Sequence, residues 1–138
     1  MESRAERLKK AGDALARFHE VVARNDLNSL ERDGVIQRFE FCFEILWKCA
    51  KDYLGEVEFL NAASPRAAIR MSREVGLLTD DEAECALKMA KDRNLTSHMY
   101  DEEMATGLAE RIKDYEALMQ VWYQRMNKMG NNTEVGKN

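Results

Sequence analysis

The sequence predicts an all-α protein, an antiparallel bundle of about five helices. Only one proline and seven glycines interrupt the 138 residues. No segment alternates between apolar and polar residues with the period of two that marks a half-buried strand. Apolar residues instead recur at steps of three and four, which places them on one face of a helix. The hydrophobic content of 45% suffices for a folded core and excludes an intrinsically disordered chain.

The first two helices follow from this periodicity. Helical spacing of apolar residues over positions 8–22 predicts a first helix up to about Arg24, and residues 25–29 indicate a connection. The second helix is predicted from about Arg32 to Leu54 and ends at Gly55. Its polar residues form one narrow stripe: Gln37, Glu40, Glu44, Lys48 and Lys51.

Apolar residues cover about 200° of the second helix, roughly twice the arc that a single core contact needs. Such a helix is either central in the bundle or covered on one side by a partner chain. Phe41 and Ile45, at the edge of the polar stripe, are the first candidates for a contact between two copies.

Capping signals begin the third and fourth helices. Ser64-Pro65 places a capping hydroxyl before a proline at the first helical position, and this short helix ends at Gly76. Thr79 and Glu82 have the spacing of a capping box, so a fourth helix begins there and extends to about Ser97. Its predicted inner side holds Ala83, Ala86, Leu87, Ala90 and Leu95.

Asp101 is the predicted cap of a fifth helix with Glu102 and Glu103 in its first turn. Its predicted inner face holds Met104, Leu108, Ile112, Tyr115, Met119 and Trp122. We expect residues 1–127 to form a single helical-bundle domain and residues 128–138 a flexible C-terminal tail.

Composition excludes several functional classes. The charged N-terminal segment and the lack of a run of ~20 apolar residues predict a cytoplasmic protein without a membrane span. Three cysteines without a Cys-x-x-Cys pair, and two histidines, support neither a disulfide frame nor a metal site. A net charge of -4 removes the long-range positive field of a general nucleic-acid binder, so any RNA contact must be local.

The segment Lys91–Tyr100 concentrates chemically active side chains at a helix end. His98 can move protons near neutral pH, and Arg93 can hold a phosphate and stabilise charge that builds on it. Together they suit cleavage of a phosphodiester without a metal. The alternative is structural: Arg93 pairs with Asp92, Asp101 or a neighbouring carboxylate, and the helix dipole favours His98 near a C-terminus.

Helix geometry complicates the catalytic interpretation. Five residues of α-helix rotate by about 140°, so Arg93 and His98 do not share a face of a continuous helix. Either the helix breaks between them, or the working pair comes from two subunits.

Arg66, Arg70 and Arg73 are spaced as a basic stripe along the third helix. Such stripes are commonly solvated surface. The functional alternative is a contact with phosphate or with an acidic partner, which compensates locally for the unfavourable net charge.

Four segments of the chain resemble the nucleotidyltransferase substrate-binding family, also called HepT-like proteins of the HEPN superfamily. The likeness spans about residues 4–125. The matching segments are Arg38–Glu44 continuing through Trp47-Lys48 to Lys51–Leu54, Ser64–Arg66 with Ile69-Arg70, Gly76–Leu78, and Arg93–Tyr100.

The resemblance implies a helical bundle that dimerises and places Arg93 and His98 of both copies in a shared cleft. In members with ribonuclease activity, the arginine and histidine act on RNA without a metal. By analogy His98 is the general acid or base, Arg93 stabilises the developing charge, and Asn94 orients one of them. The partner of such proteins is a minimal nucleotidyltransferase acting as antitoxin, which uses ATP to transfer AMP to the tyrosine that corresponds to Tyr100.

The predicted function is therefore a HepT-like toxin, a metal-independent endoribonuclease without a cofactor of its own, neutralised by that partner. Some family members are described as accessory, substrate-binding subunits, so a non-catalytic subunit of the same transferase is the alternative. A plain helical interaction protein is a third possibility.

Overall fold

Five α-helices make up the described part of the chain. The computed structural model describes the backbone of residues 2–98 and 102–136 and the side chains of residues 2–96 and 102–128. The helices are α1 Arg4–Val22, α2 Ser29–Val57, α3 Pro65–Glu74, α4 Asp80–His98 and α5 Glu102–Gly136. Over these residues no strand occurs, and the predicted all-α bundle of five helices is confirmed.

Side-chain hydrogen bonds to nearby backbone N–H groups cap the N-terminal ends of α2, α3 and α4. Ser64 caps α3 ahead of Pro65, as predicted. The Glu82 carboxylate accepts from the Thr79 N–H at 2.8 Å, and the Thr79 hydroxyl accepts from the Glu82 N–H at 3.2 Å, which completes the predicted capping box of α4. A second capping box, formed by Asn28 and Glu31, begins α2 three residues earlier than the sequence indicated.

The sequence predicted that α2 ends at Gly55, and this prediction is wrong. The helix continues to Val57, and the chain reverses at Phe59, whose φ is 58°. An ion pair of 2.7 Å between Arg4 Nε of α1 and Glu56 Oε2 stabilises this additional turn. One glycine inside a helix costs only about 1 kcal/mol, so the packing of Val57 against the core and this ion pair together can outweigh it.

The backbone of α5 is helical through Gly136, well past position 128, where the sequence placed the start of a tail. No proline follows Pro65, so nothing in this segment removes a helical backbone donor. The helix is therefore longer than predicted. The flexibility of residues 128–138 and the domain boundary at residue 127 stay predictions.

Helix α2 is central, because it contacts all four other helices. Phe39 on α2 stacks on Tyr115 of α5, with ring centroids 5.8 Å apart. Leu95, predicted on the inner side of α4, is instead 37% exposed. It lies about 200° around α4 from Arg93, which faces α2, and it therefore points away from that contact.

None of these helices, over the residues described, is both long and apolar enough to cross a membrane.

Candidate functional site

Arg93 reaches from α4 onto two carboxylates of α2. Its Nη1 lies 3.5 Å from Glu40 Oε2 and its Nε lies 3.4 Å from Glu44 Oε1. The Arg93 side chain is 20% exposed. Both distances are longer than those of a good N–H···O hydrogen bond, so the two ion pairs are loose.

The polar stripe of α2 is therefore more than a solvent-exposed surface, because two of its carboxylates contact Arg93 of α4. Glu44 is also fixed by the indole N–H of Trp47, which donates to Glu44 Oε2 at 3.2 Å. The structural alternative from the sequence is confirmed in one respect, since Arg93 does pair with carboxylates. Among the described residues these carboxylates are Glu40 and Glu44 of another helix, and Asp92 is not one of them. Asp101, also a predicted partner, lies outside the described residues.

Asp92 ties α4 to α5. It accepts two hydrogen bonds from the Arg111 guanidinium, at 2.8 and 3.0 Å, and one from the Tyr115 hydroxyl at 2.5 Å. Burial, and then the hydrogen bond to Asp92, raise the pKa of Tyr115. The consecutive residues Asp92 and Arg93 thus fix the end of α4 to helices on two sides.

Helix α4 is unbroken from Asp80 to His98, so the sequence alternative in which the helix breaks between Arg93 and His98 is wrong. The two positions lie about 140° apart around one helix. Asn94, one residue after Arg93, is exposed. The His98 side chain and Tyr100 lie outside the described residues.

Phe41, a predicted dimer contact, lies next to this site. It is three residues before Glu44 on α2, and its side chain is 59% exposed. Ile45, the other predicted contact, is partly buried against the core. Contact between two copies through these residues stays a prediction.

The three arginines of the α3 stripe are exposed, as predicted. Arg73 Nε lies 3.9 Å from Asp80 Oδ1. For Arg66 and Arg70, no carboxylate among the described residues lies within 4.0 Å. The geometry is compatible with both the solvated and the anion-binding interpretation.

The structure also shows an ion pair that sequence reasoning missed. His19 of α1 contacts Glu116 of α5, with 2.7 Å between Nδ1 and Oε1. Glu116 is only 6% exposed, and its hydrogen bond raises the pKa of His19. No local signal marks such a pair, because the two residues lie near opposite ends of the chain. Among the described side chains, no group of three potential ligands is arranged to hold a metal ion.

The fold is the HEPN-like helical bundle, as comparison with solved structures shows. A crystal structure of a Thermus thermophilus protein is 46% identical, covers 84% of this chain and 98% of its own, and gives a TM-score of 0.81. A structure of the toxin–antitoxin pair MntA–HepT has a TM-score of 0.70 at 14% identity, and the match covers 91% of this chain and 97% of the other. A tri-AMPylated Shewanella oneidensis HEPN toxin in complex with MNT antitoxin has a TM-score of 0.63 at 18% identity, and the match covers 88% of this chain and 97% of the other.

The chain belongs to the family described as "Nucleotidyltransferase substrate binding protein like", whose sequence model matches residues 3–128. A curated relative, the "Probable ribonuclease HepT" of Haemophilus influenzae, is 31% identical over 86 residues, which is 59% of this chain. The match spans 58% of that relative's length.

Proposed function

We propose that the protein is a metal-independent endoribonuclease and the toxin of a two-protein system, neutralised by a minimal nucleotidyltransferase. The observation that carries the proposal is the position of Arg93, which is partly exposed and contacts the polar stripe of α2 near the exposed Phe41. Family membership and the likeness to a probable ribonuclease support it.

The proposed reaction uses the ribose 2′-hydroxyl as nucleophile. Its oxygen attacks the adjacent phosphorus, the bond from phosphorus to the 5′-oxygen breaks, and a cyclic phosphate and a 5′-hydroxyl result. His98 takes or supplies the proton as general base or acid. Arg93 stabilises the negative charge on the phosphorane-like transition state, and Asn94 orients one of these two groups.

The site is proposed to need two copies of the chain. Because α4 is unbroken, Arg93 and His98 of one copy diverge by about 140°. A second copy docked through Phe41 and Ile45 would bring its own α4 to the same cleft. The partner of one protomer's Arg93 is then the His98 of the other.

Tyr100 is the proposed acceptor of AMP. Its phenol oxygen attacks the α-phosphate of ATP bound by the transferase, the new phosphodiester forms, and pyrophosphate leaves. The added charge and bulk two residues from His98 would repel and block RNA. The arginines of the α3 stripe, Arg66, Arg70 and Arg73, are proposed to contact RNA or the transferase, and ATP is a substrate of the partner alone.

Cleavage of a fluorescent RNA by the purified protein in EDTA tests the proposal. We expect the wild type to cut, and Arg93→Ala and His98→Ala to lose cutting by at least a hundredfold. Lys88→Ala, at an exposed position of the same helix, is the matched control and should cut normally. Circular dichroism and sedimentation must show the same fold and oligomeric state for all variants. Intact RNA with the folded wild type refutes the enzyme.

One observation favours the alternative, a non-catalytic subunit of the transferase. Glu40 and Glu44 already neutralise much of the charge of Arg93, which opposes binding of a phosphate there. In that case RNA stays whole, but the complex with the transferase forms and Tyr100 is still modified.

A further inference from the structure

A groove of about 400 Å³ lies between α1 and α2. Its walls are formed by Ala14 and Arg17 of α1 and by Gly34, Gln37, Arg38, Phe41 and Cys42 of α2. Small residues keep it open, since a Cβ added at Gly34 would meet no atom within 4 Å. The groove is separate from Arg93 and from the α3 stripe.

The charge of this groove is one-sided. Arg17 and Arg38 are both exposed, and no carboxylate among the described residues lies within 4.0 Å of either guanidinium. No acidic residue is among the described residues that line the groove. In a chain of net charge -4, many other arginines pair with carboxylates, as Arg7, Arg111 and Arg125 do. Two guanidiniums and an amide therefore line a groove that has no acidic residue among its described lining residues.

The groove connects to the candidate site along one ridge of α2. Arg38, Phe41 and Glu44 are spaced at i, i+3 and i+6, so neighbours in this row touch each other on the helix surface. Glu44 contacts Arg93, Arg38 lines the groove, and Phe41 between them is the proposed contact with the second copy. The groove therefore lies at the border of the proposed shared cleft, and a strand that leaves the cleft beside Phe41 covers only about 9 Å of helix axis between Glu44 and Arg38.

We propose that the groove between α1 and α2 binds the phosphate backbone of single-stranded RNA, with Arg17 and Arg38 contacting phosphates next to the cleaved one. The inference rests on the proposed ribonuclease function, whose substrate it extends. Successive phosphates present a flexible row of anions, which suits two exposed guanidiniums in a narrow groove.

Binding of a fluorescent 2′-O-methyl oligonucleotide, which cannot be cleaved through the 2′-oxygen, tests this inference separately from catalysis. We expect Arg17→Ala/Arg38→Ala to weaken binding on the order of tenfold at low salt. The slope of log affinity against log salt should fall by about 1.4, since each single-strand phosphate contact contributes about 0.7. The control removes two exposed lysines outside the groove, Lys9→Ala/Lys88→Ala, and should bind as the wild type.

A steric variant gives an independent readout without a change of charge. Gly34→Leu extends a side chain into open space in the groove and should also weaken oligonucleotide binding several-fold. Circular dichroism must show an intact fold in all variants. If one variant fails to fold, the other still decides the question.

The outcomes separate this inference from the proposed function. If the Arg17→Ala/Arg38→Ala variant binds the oligonucleotide with wild-type affinity and salt slope, while Arg93→Ala stops cleavage, RNA binding in the groove is refuted and ribonuclease activity is supported. If RNA is never cleaved but the variant loses oligonucleotide binding as expected, RNA binding in the groove is supported and ribonuclease activity is refuted. An equal loss in the lysine control, or a loss of dimer or of transferase binding in place of oligonucleotide binding, overturns the RNA assignment.

Discussion

Removal of the Asp92 carboxylate is the most direct perturbation of the contact between α4 and α5. Asp92→Ala takes away the acceptor of the Tyr115 hydroxyl and of two Arg111 donors. The Asp92 side chain is 13% exposed, and Tyr115 as a residue is 2% exposed. Of the two partners of Asp92, the more exposed Arg111 is far easier for water to reach than the buried Tyr115.

The expected cost follows from that asymmetry. A buried hydroxyl that loses its acceptor costs about 1–3 kcal/mol. The Arg111 side chain is 44% exposed and regains water, so its ion pair contributes roughly 0.2–1 kcal/mol. We expect Asp92→Ala to lower the free energy of unfolding by about 2–3 kcal/mol. At about 3–4 °C per kcal/mol for this chain length, Tm falls by about 6–12 °C.

A double-mutant cycle measured by urea denaturation isolates the Tyr115 contribution. Tyr115→Phe removes the donor and keeps the ring that stacks on Phe39, so Asp92→Ala should cost about 1 kcal/mol less in that background. Asp114→Ala, at an exposed carboxylate of α5, should stay within about 0.5 kcal/mol of the wild type. A loss below about 1 kcal/mol for Asp92→Ala, or strict additivity in the cycle, contradicts the reasoning.

Three further predictions concern backbone, pH and thiols. Gly34→Ala should raise the free energy of unfolding by about 0.5–1 kcal/mol in urea titration, because the added Cβ meets nothing and helix propensity improves. The hydrogen bond that His19 donates to the Glu116 carboxylate raises the folded-state pKa of His19 above 6.5. The stabilisation from this pair is therefore complete below pH 6.5 and is lost as pH rises through the folded-state pKa. The urea midpoint of the wild type should fall over that range and that of His19→Gln should not; parallel curves would disprove it. Burial raises the pKa of the Cys42 and Cys49 thiols to about 12, so mass spectrometry should find iodoacetamide only on the partly exposed third cysteine until urea is added.

Helix starts were predictable where the signal is local. Ser64 and the pair Thr79 and Glu82 act over three residues, and the structure contains the expected bonds. Asn28 and Glu31 have the same spacing, but Asn28 lies within a polar run that also indicates a loop, since capping residues and turn residues are chemically alike. The end of α2 was mistaken because the contacts beyond Gly55, the packing of Val57 against the core and the Arg4–Glu56 ion pair, are tertiary and leave no local signal.

The sequence indicated Arg93 as a candidate but gave no sign of the residues that surround it. Arg93 stood out by composition, whereas Glu40 and Glu44 had the helical spacing of an ordinary solvated stripe. Their role depends on how closely α4 approaches α2, which packing of the whole bundle decides. The contact of Asp92 with Tyr115 has the same origin. Short-range patterns therefore indicated Arg93 as a candidate, and tertiary packing decides how its charge is balanced.

That balance limits how a chain of net charge -4 can bind RNA, its proposed substrate. Arg93 is partly neutralised by two carboxylates, so it contributes little to the attraction of a long polyanion. Exposed arginines without a carboxylate within 4.0 Å, among the described residues, include Arg17, Arg38, Arg66 and Arg70. At physiological salt their field extends only about 8 Å, so each acts on phosphates that touch it. RNA affinity should then depend on where a strand lies on the surface, and a short oligonucleotide that spans the α1–α2 groove should bind as tightly as a much longer one.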